Sequence, residues 1–157
     1  MHLYKLLIFD WEGCLVQLGA KAELSEGVEE FLKKLHSDGV KLAIVTNGGT
    51  AQFDRPPEFA ALKPLFSTII TAHDVERYKP HPEGIEKILT QLELTPDDAL
   101  MVGDTERDIM AGRTAGLDTA LYLPDQNAAS YQDKDIGQLD PTYTFRSFSE
   151  LKSLIFV

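Results

Sequence analysis

Hydrophobic positions concentrate in short, mostly apolar runs at 3–9, 40–46, 66–71, 98–102 and 117–123. Runs this short and this rich in apolar residues read as buried strands. Between the first two, Val28, Phe31, Leu32 and Leu35 are spaced i, i+3, i+4, i+7 and predict a helix over 25–38, which Gly39 is placed to stop. Ile85, Ile88, Leu89 and Leu92 repeat that stripe between the third and fourth runs. Pro56-Pro57 marks another helix start and Thr95-Pro96-Asp97-Asp98 a turn. Ser147 with Glu150 predicts a capping box ahead of Leu151, Leu154 and Ile155, and the polar stretch 124–140 reads as a surface loop. No internal repeat, linker or low-complexity tract interrupts the pattern.

Strand-like and helix-like segments alternate, which implies an α/β fold: a parallel sheet with helices on both faces. Such sheets bind ligands at the carboxyl ends of their strands. Asp10, Thr46 and Asp104 each end or follow an apolar run. The pattern therefore predicts that they converge.

The chain has 157 residues, 43% of them hydrophobic, enough for one domain over 1–157 with a real core. A net charge of -10 argues against nonspecific nucleic-acid or anionic-membrane binding. The single cysteine, Cys14, excludes an internal disulfide framework and a cysteine-rich zinc site. The first apolar stretch is short and ends in Asp10, unlike a signal peptide or a membrane span, so a cytoplasmic protein is expected.

A carboxylate closing a buried strand ahead of a glycine turn, as in Asp10-Trp11-Glu12-Gly13, suits both metal binding and attack on phosphorus. Taken alone, Asp10 or Asp104 would read as a helix cap or turn aspartate, Thr46 as an ordinary strand end, and Lys79 as a solvated turn residue. Together, Leu7-Ile8-Phe9-Asp10-Trp11-Glu12-Gly13, Val45-Thr46-Asn47, Lys79-Pro80 and Gly103-Asp104-Thr105-Glu106-Arg107-Asp108 resemble the four signature motifs of the haloacid dehalogenase-like (HAD) hydrolases. The match keeps their order from residue 3 to about 123.

The resemblance implies a doubly wound Rossmann-like parallel sheet of about five to six strands and a Mg²⁺-dependent phosphatase. It gives Asp10 the role of a nucleophile that forms an aspartyl-phosphate, splitting hydrolysis into two easier displacements. Mg²⁺ would be held by Asp10 and Asp104, with the Glu12 backbone carbonyl and with Asp108 as a ligand or through water. Thr46 would donate its hydroxyl, and Asn47 its backbone N–H, to the phosphoryl oxygens. Lys79 would offset charge on the nucleophile and the transferring group.

Glu12 departs from the pattern, since family phosphatases usually carry aspartate two residues after the nucleophile as general acid and base. Glutamate keeps the carboxylic chemistry but sets its oxygen off by about one C–C bond, ~1.5 Å. Misplacement on that scale can cost on the order of 100-fold in rate. The expectation is a working or slow phosphatase; the alternative is a catalytically impaired phosphate- or metal-binding scaffold domain.

Only residues 11–45 separate Asp10 from Thr46, and 47–78 separate Thr46 from Lys79, so no separate cap domain is expected. Trp11 is similar to the residue after the nucleophile in phosphonoacetaldehyde hydrolases, but their cap lysine has no room here. Trp11 then reads as a packing residue or a wall of the pocket mouth, and Cys14 as buried and inert. Segment 11–24 becomes a short flap, whose Val16, Leu18 and Leu24 would pack on the core or meet a partner chain or substrate. An open site suits a small phosphorylated metabolite first, a phosphoprotein second, and a homo-oligomer that covers it.

Overall fold

The computed structural model describes residues 1–125 and 136–157. Its main sheet holds β1 (Leu6–Phe9), β4 (Lys41–Val45), β5 (Thr68–Ile70), β6 (Ala99–Gly103), β7 (Asp118–Tyr122) and β8 (Tyr143–Phe145). Strands β2 (Val16–Leu18) and β3 (Ala22–Leu24) form a separate antiparallel hairpin after β1. The sheet order is β5-β4-β1-β6-β7-β8, and every neighbouring pair is parallel. The chain winds outward from β1 to β5, then returns to β6 on the other side of β1. That is the doubly wound order, with its reversal between β1 and β6.

All four residues of β1 are buried because alternate side chains serve opposite faces. Leu7 and Phe9 join a core with Phe31, Leu32 and Leu35 of α1 (Val28–Ser37) and Phe148, Leu151 and Ile155 of α6 (Phe148–Ile155). Leu6 and Ile8 join a second core with Ile85, Ile88 and Leu89 of α3 (Glu83–Leu92) and Ala111 of α4 (Glu106–Thr114). Both periodic stripes thus face the sheet, from opposite sides. Gly39, at φ 85°, follows α1 in the left-handed region, where an L side chain would be strained.

The helix expected over 25–38 is confined to 28–37, and β1 is shorter than the apolar run 3–9. The short helix α2 (Phe59–Leu62) starts just after Pro56-Pro57. The apolar pattern does not locate the edge strand β8: three residues are too few to show a period, yet Phe145 is fully buried and stacks on Tyr122. Of the expected loop 124–140, residues 126–135 lie outside the described residues. The expectation fails at its end, where Ile136–Leu139 form a short helix, α5, that receives a hydrogen bond from Arg113 at the Leu139 carbonyl. One helical turn leaves no periodic trace in a sequence.

Among the described residues no separate cap is evident, and the β2–β3 hairpin is the element that follows β1. No described helix is long and apolar enough to cross a membrane.

Candidate active site

Asp10 is the first residue past β1, Thr46 the first past β4 and Asp104 the first past β6. Parallel register brings Asp10 and Asp104 together, because Phe9 pairs with Val102 and the Asp10 N–H donates to the Val102 carbonyl at 3.0 Å. Lys79 arrives in the loop between β5 and α3, and Asp108 lies in the first turn of α4.

The Lys79 ammonium donates to Asp10 Oδ1 at 2.7 Å and to Asp108 Oδ1 at 2.6 Å, and all three side chains are buried. Asp108 Oδ2 accepts from the Asp104 N–H, the Thr105 N–H and the Thr105 hydroxyl at 2.9–3.1 Å. Asp108 therefore caps α4 with one oxygen and anchors Lys79 with the other. Asn47 makes a matched pair of bonds to the Lys79 backbone: Oδ1 accepts its N–H at 2.9 Å, and Nδ2 donates to its carbonyl at 3.0 Å. The sequence motif singles out only the Asn47 backbone, and this use of its side chain leaves no sequence signal.

Asp10, Asp104 and Asp108 offer carboxylate oxygens that all lie within 4.8 Å of one another. With one ammonium among three carboxylates, the cluster carries an excess of negative charge when fully ionised. Burial, then the charges of Asp10 and Asp108, push the Asp104 pKa up to about 8. Burial and Asp108 also raise Asp10, against the lowering pull of Lys79. For Lys79, burial acts to lower its pKa, but the Asp108 and Asp10 charges and hydrogen bonds outweigh it and the net shift is upward. Among the described residues, Asp104 Oδ1 is buried without a hydrogen-bond partner. An orphaned carboxylate oxygen beside two more carboxylates suits a hard, oxygen-seeking divalent cation such as Mg²⁺. Asp10 and Asp104 would hold it; Asp108, with both oxygens already engaged, would reach it through water.

Gly13 makes this approach possible. It adopts φ 81°, and a Cβ there would overlap the Asp104 carboxylate.

A pocket of about 350 Å³ opens over the cluster, lined by Asp10, Glu12, Thr46, Asn47, Asp104 and Arg107 among others. Lys79 and Asp108 stand behind its wall rather than in it. The Thr46 hydroxyl accepts from the Gly48 N–H at 3.1 Å and the Gln52 amide at 3.3 Å, which leaves its own proton for a ligand. Glu12 is exposed at the mouth, where it also lines a larger outer cleft of about 1110 Å³. Trp11 is both of the things expected of it: buried edge-on against Phe53 and Phe59, and part of the outer cleft. Cys14 is fully buried, and its thiol is pushed well up by burial.

Gln52 and Arg107 are among the residues lining the inner pocket that take no role from the sequence motifs. Gln52 comes from a 3₁₀ turn whose polar side chain has no motif around it. Arg107 sits inside the Gly103–Asp108 run, and its guanidinium has no ion pair among the described residues, so it is open to an anion.

The chain is similar to several known proteins. The chain is 36% identical over 130 residues to pyrophosphatase PpaX of Halalkalibacterium halodurans, covering 83% of this chain but 59% of that protein. It is 26% identical to the HAD-hydrolase YfnB of Bacillus subtilis, solved bound to magnesium, with a TM-score of 0.72 and coverage of 86% and 57%. The chain thus spans little more than half the length of these relatives. A crystal structure described as a predicted phosphoglycolate phosphatase of Haemophilus somnus shares the fold at a TM-score of 0.81 and 20% identity, covering 98% of this chain and 99% of that one. Residues 4–122, which include every strand end and loop that builds the acidic cluster, match the family model of the haloacid dehalogenase-like hydrolases, and the chain belongs to that family.

Proposed function

We propose that this chain is a Mg²⁺-dependent phosphohydrolase that cleaves phosphate monoesters through an aspartyl-phosphate on Asp10. The observation that carries the reading is the meeting of Asp10, Lys79, Asp104 and Asp108 beneath a pocket edged by Thr46 and Glu12. The pyrophosphatase and hydrolase names of the relatives support phosphoryl chemistry.

Asp10 attacks phosphorus as a carboxylate while the bond to the leaving oxygen breaks, and the Glu12 carboxyl group gives that oxygen its proton. Glu12, now ionised, takes a proton from water as the water oxygen attacks phosphorus. The bond to Asp10 breaks, and phosphate leaves with the carboxylate restored. Mg²⁺ would neutralise charge between the nucleophile and the phosphoryl oxygens. Lys79 favours the ionised form of Asp10 from behind, and Asn47 holds Lys79 in place. The Thr46 hydroxyl, the Asn47 N–H and Arg107 take the phosphoryl oxygens. We assign the whole of 1–157 to one catalytic domain that acts in the cytoplasm, where a free cysteine such as Cys14 is unexceptional. A small phosphorylated metabolite fits the pocket better than a phosphoprotein.

The test is hydrolysis of a panel of phosphate monoesters and pyrophosphate, with and without Mg²⁺, beside Asp10→Asn. Turnover that needs the metal and disappears in the variant is expected. Binding of Mg²⁺ and phosphate without turnover of any substrate would replace this reading with the binding-domain alternative, with Glu12 as its cause.

A further inference from the structure

The outer cleft is about three times the volume of the phosphoryl pocket (about 1110 against 350 Å³) and is continuous with it. Glu12, Leu18 and Gln52 line both, so the two meet along one edge. Asp10 lines only the inner pocket. In-line displacement sends the leaving oxygen away from the nucleophile. Away from Asp10 and beside Glu12, its proton donor, lies the outer cleft.

The walls of that cleft differ from those of the inner pocket. Trp11 and Pro56 are buried residues in its lining, and Leu18 and Pro57 are exposed along it; Leu18 is 57% exposed. Its charged groups are mixed: Lys21 and Arg55 stand among the carboxylates of Glu12, Glu23 and Glu58. A second phosphate leaving toward this cleft would meet more negative than positive side chains and an apolar surface unable to hydrogen-bond it. An uncharged, bulky organic group would instead cover apolar surface that is otherwise exposed to water.

We propose that the outer cleft is the leaving-group site, and that it selects organic monoesters with a large apolar leaving group over inorganic pyrophosphate. The inference rests on the phosphohydrolase reading above and departs from the activity named for the curated relative. The hairpin carrying Leu18 and the 55–58 segment are then the specificity-determining walls.

Two variants narrow the cleft from opposite sides without touching the inner pocket: Ala20→Trp on the hairpin and Pro57→Trp facing it. Both positions are exposed, and neither lines the phosphoryl pocket. Each is compared with the parent on 1-naphthyl phosphate and methyl phosphate. The ratio of the two kcat/KM values cancels effects on the shared phosphoryl chemistry. The ratio is expected to fall at least about tenfold in each variant, the scale on which apolar pockets discriminate. Methyl phosphate turnover should stay near the parental rate. Equal changes on both substrates, or an unchanged ratio, would overturn the assignment, as would a parental kcat/KM for pyrophosphate above that for 1-naphthyl phosphate.

Calorimetric titration of Asp10→Asn with the two esters reads the cleft without turnover. Tighter binding of the naphthyl ester, lost on adding Ala20→Trp or Pro57→Trp, is expected. This arm separates the two readings: if the parent hydrolyses nothing, the phosphohydrolase assignment fails, while the binding contrast still decides whether the cleft takes an organic group.

Discussion

Replacing Asp104 with asparagine should stabilise the metal-free protein at alkaline pH while removing its response to Mg²⁺. In the folded chain Asp104 keeps its proton up to about pH 8, against 3.8 for an unperturbed carboxyl group, mainly because it is buried beside Asp10 and Asp108. The folded state therefore binds more protons than the unfolded state between these values. The associated stability is complete below pH 3.8 and is lost as pH rises through about 8. At about 1.4 kcal/mol per pH unit, ionising Asp104 costs the fold on the order of 5 kcal/mol. The substituted asparagine carries no charge but buries an amide, at about 1–3 kcal/mol. The net gain for Asp104→Asn at pH 8 is then about 2–4 kcal/mol; it falls to zero between about pH 4.5 and 6 and becomes a loss near pH 4. A divalent cation acts in the other direction: parental protein should gain ~2.7 kcal/mol at Mg²⁺ a hundredfold above its dissociation constant, and the variant should gain little. Urea unfolding at pH 5 and 8, each with and without Mg²⁺, measures all four quantities. A variant no more stable than the parent at pH 8 without metal would refute the reasoning, because the charge excess would then not be destabilising the site.

Glu12→Gln should lower kcat by ~10²–10⁴-fold on a poor leaving group, while Glu12→Asp should retain or raise it; steady-state rates on an alkyl phosphate decide this. Asn47→Ala removes both side-chain bonds to the Lys79 backbone. It should lower kcat by ~10–100-fold with a smaller change in KM, since the displaced lysine acts on Asp10 rather than on bound substrate. Gly13→Ala puts a methyl group into the Asp104 carboxylate at a positive φ. It should abolish Mg²⁺-induced stabilisation in thermal melts, and an unchanged melting response to Mg²⁺ would contradict the close approach described here.

The apolar runs and the two i, i+3, i+4, i+7 stripes suffice to place five of the six main-sheet strands and the two helices that cover opposite faces of the sheet. These elements are legible because each buries a continuous or periodic apolar surface, a property written locally in the sequence. Strand β8 and helix α5 are not, since three or four residues carry no period. The motif order also suffices for the family, because Asp10, Thr46, Lys79 and Asp104 each sit beside a recognisable strand end or turn.

Other features arise only when distant segments pack. Asn47 grips a backbone 32 positions away, and Asp108 spends one oxygen on its own helix and the other on Lys79. Gln52 reaches Thr46 from a turn without a motif, and the outer cleft exists only because the β2–β3 hairpin faces the 55–58 segment. Which chemical groups stand at the ends of the strands follows from the order of residues, since burial and turn chemistry act over a few neighbouring positions. How those groups are charged, held and walled depends on distances between segments far apart in the chain, and only the packed sheet sets those distances.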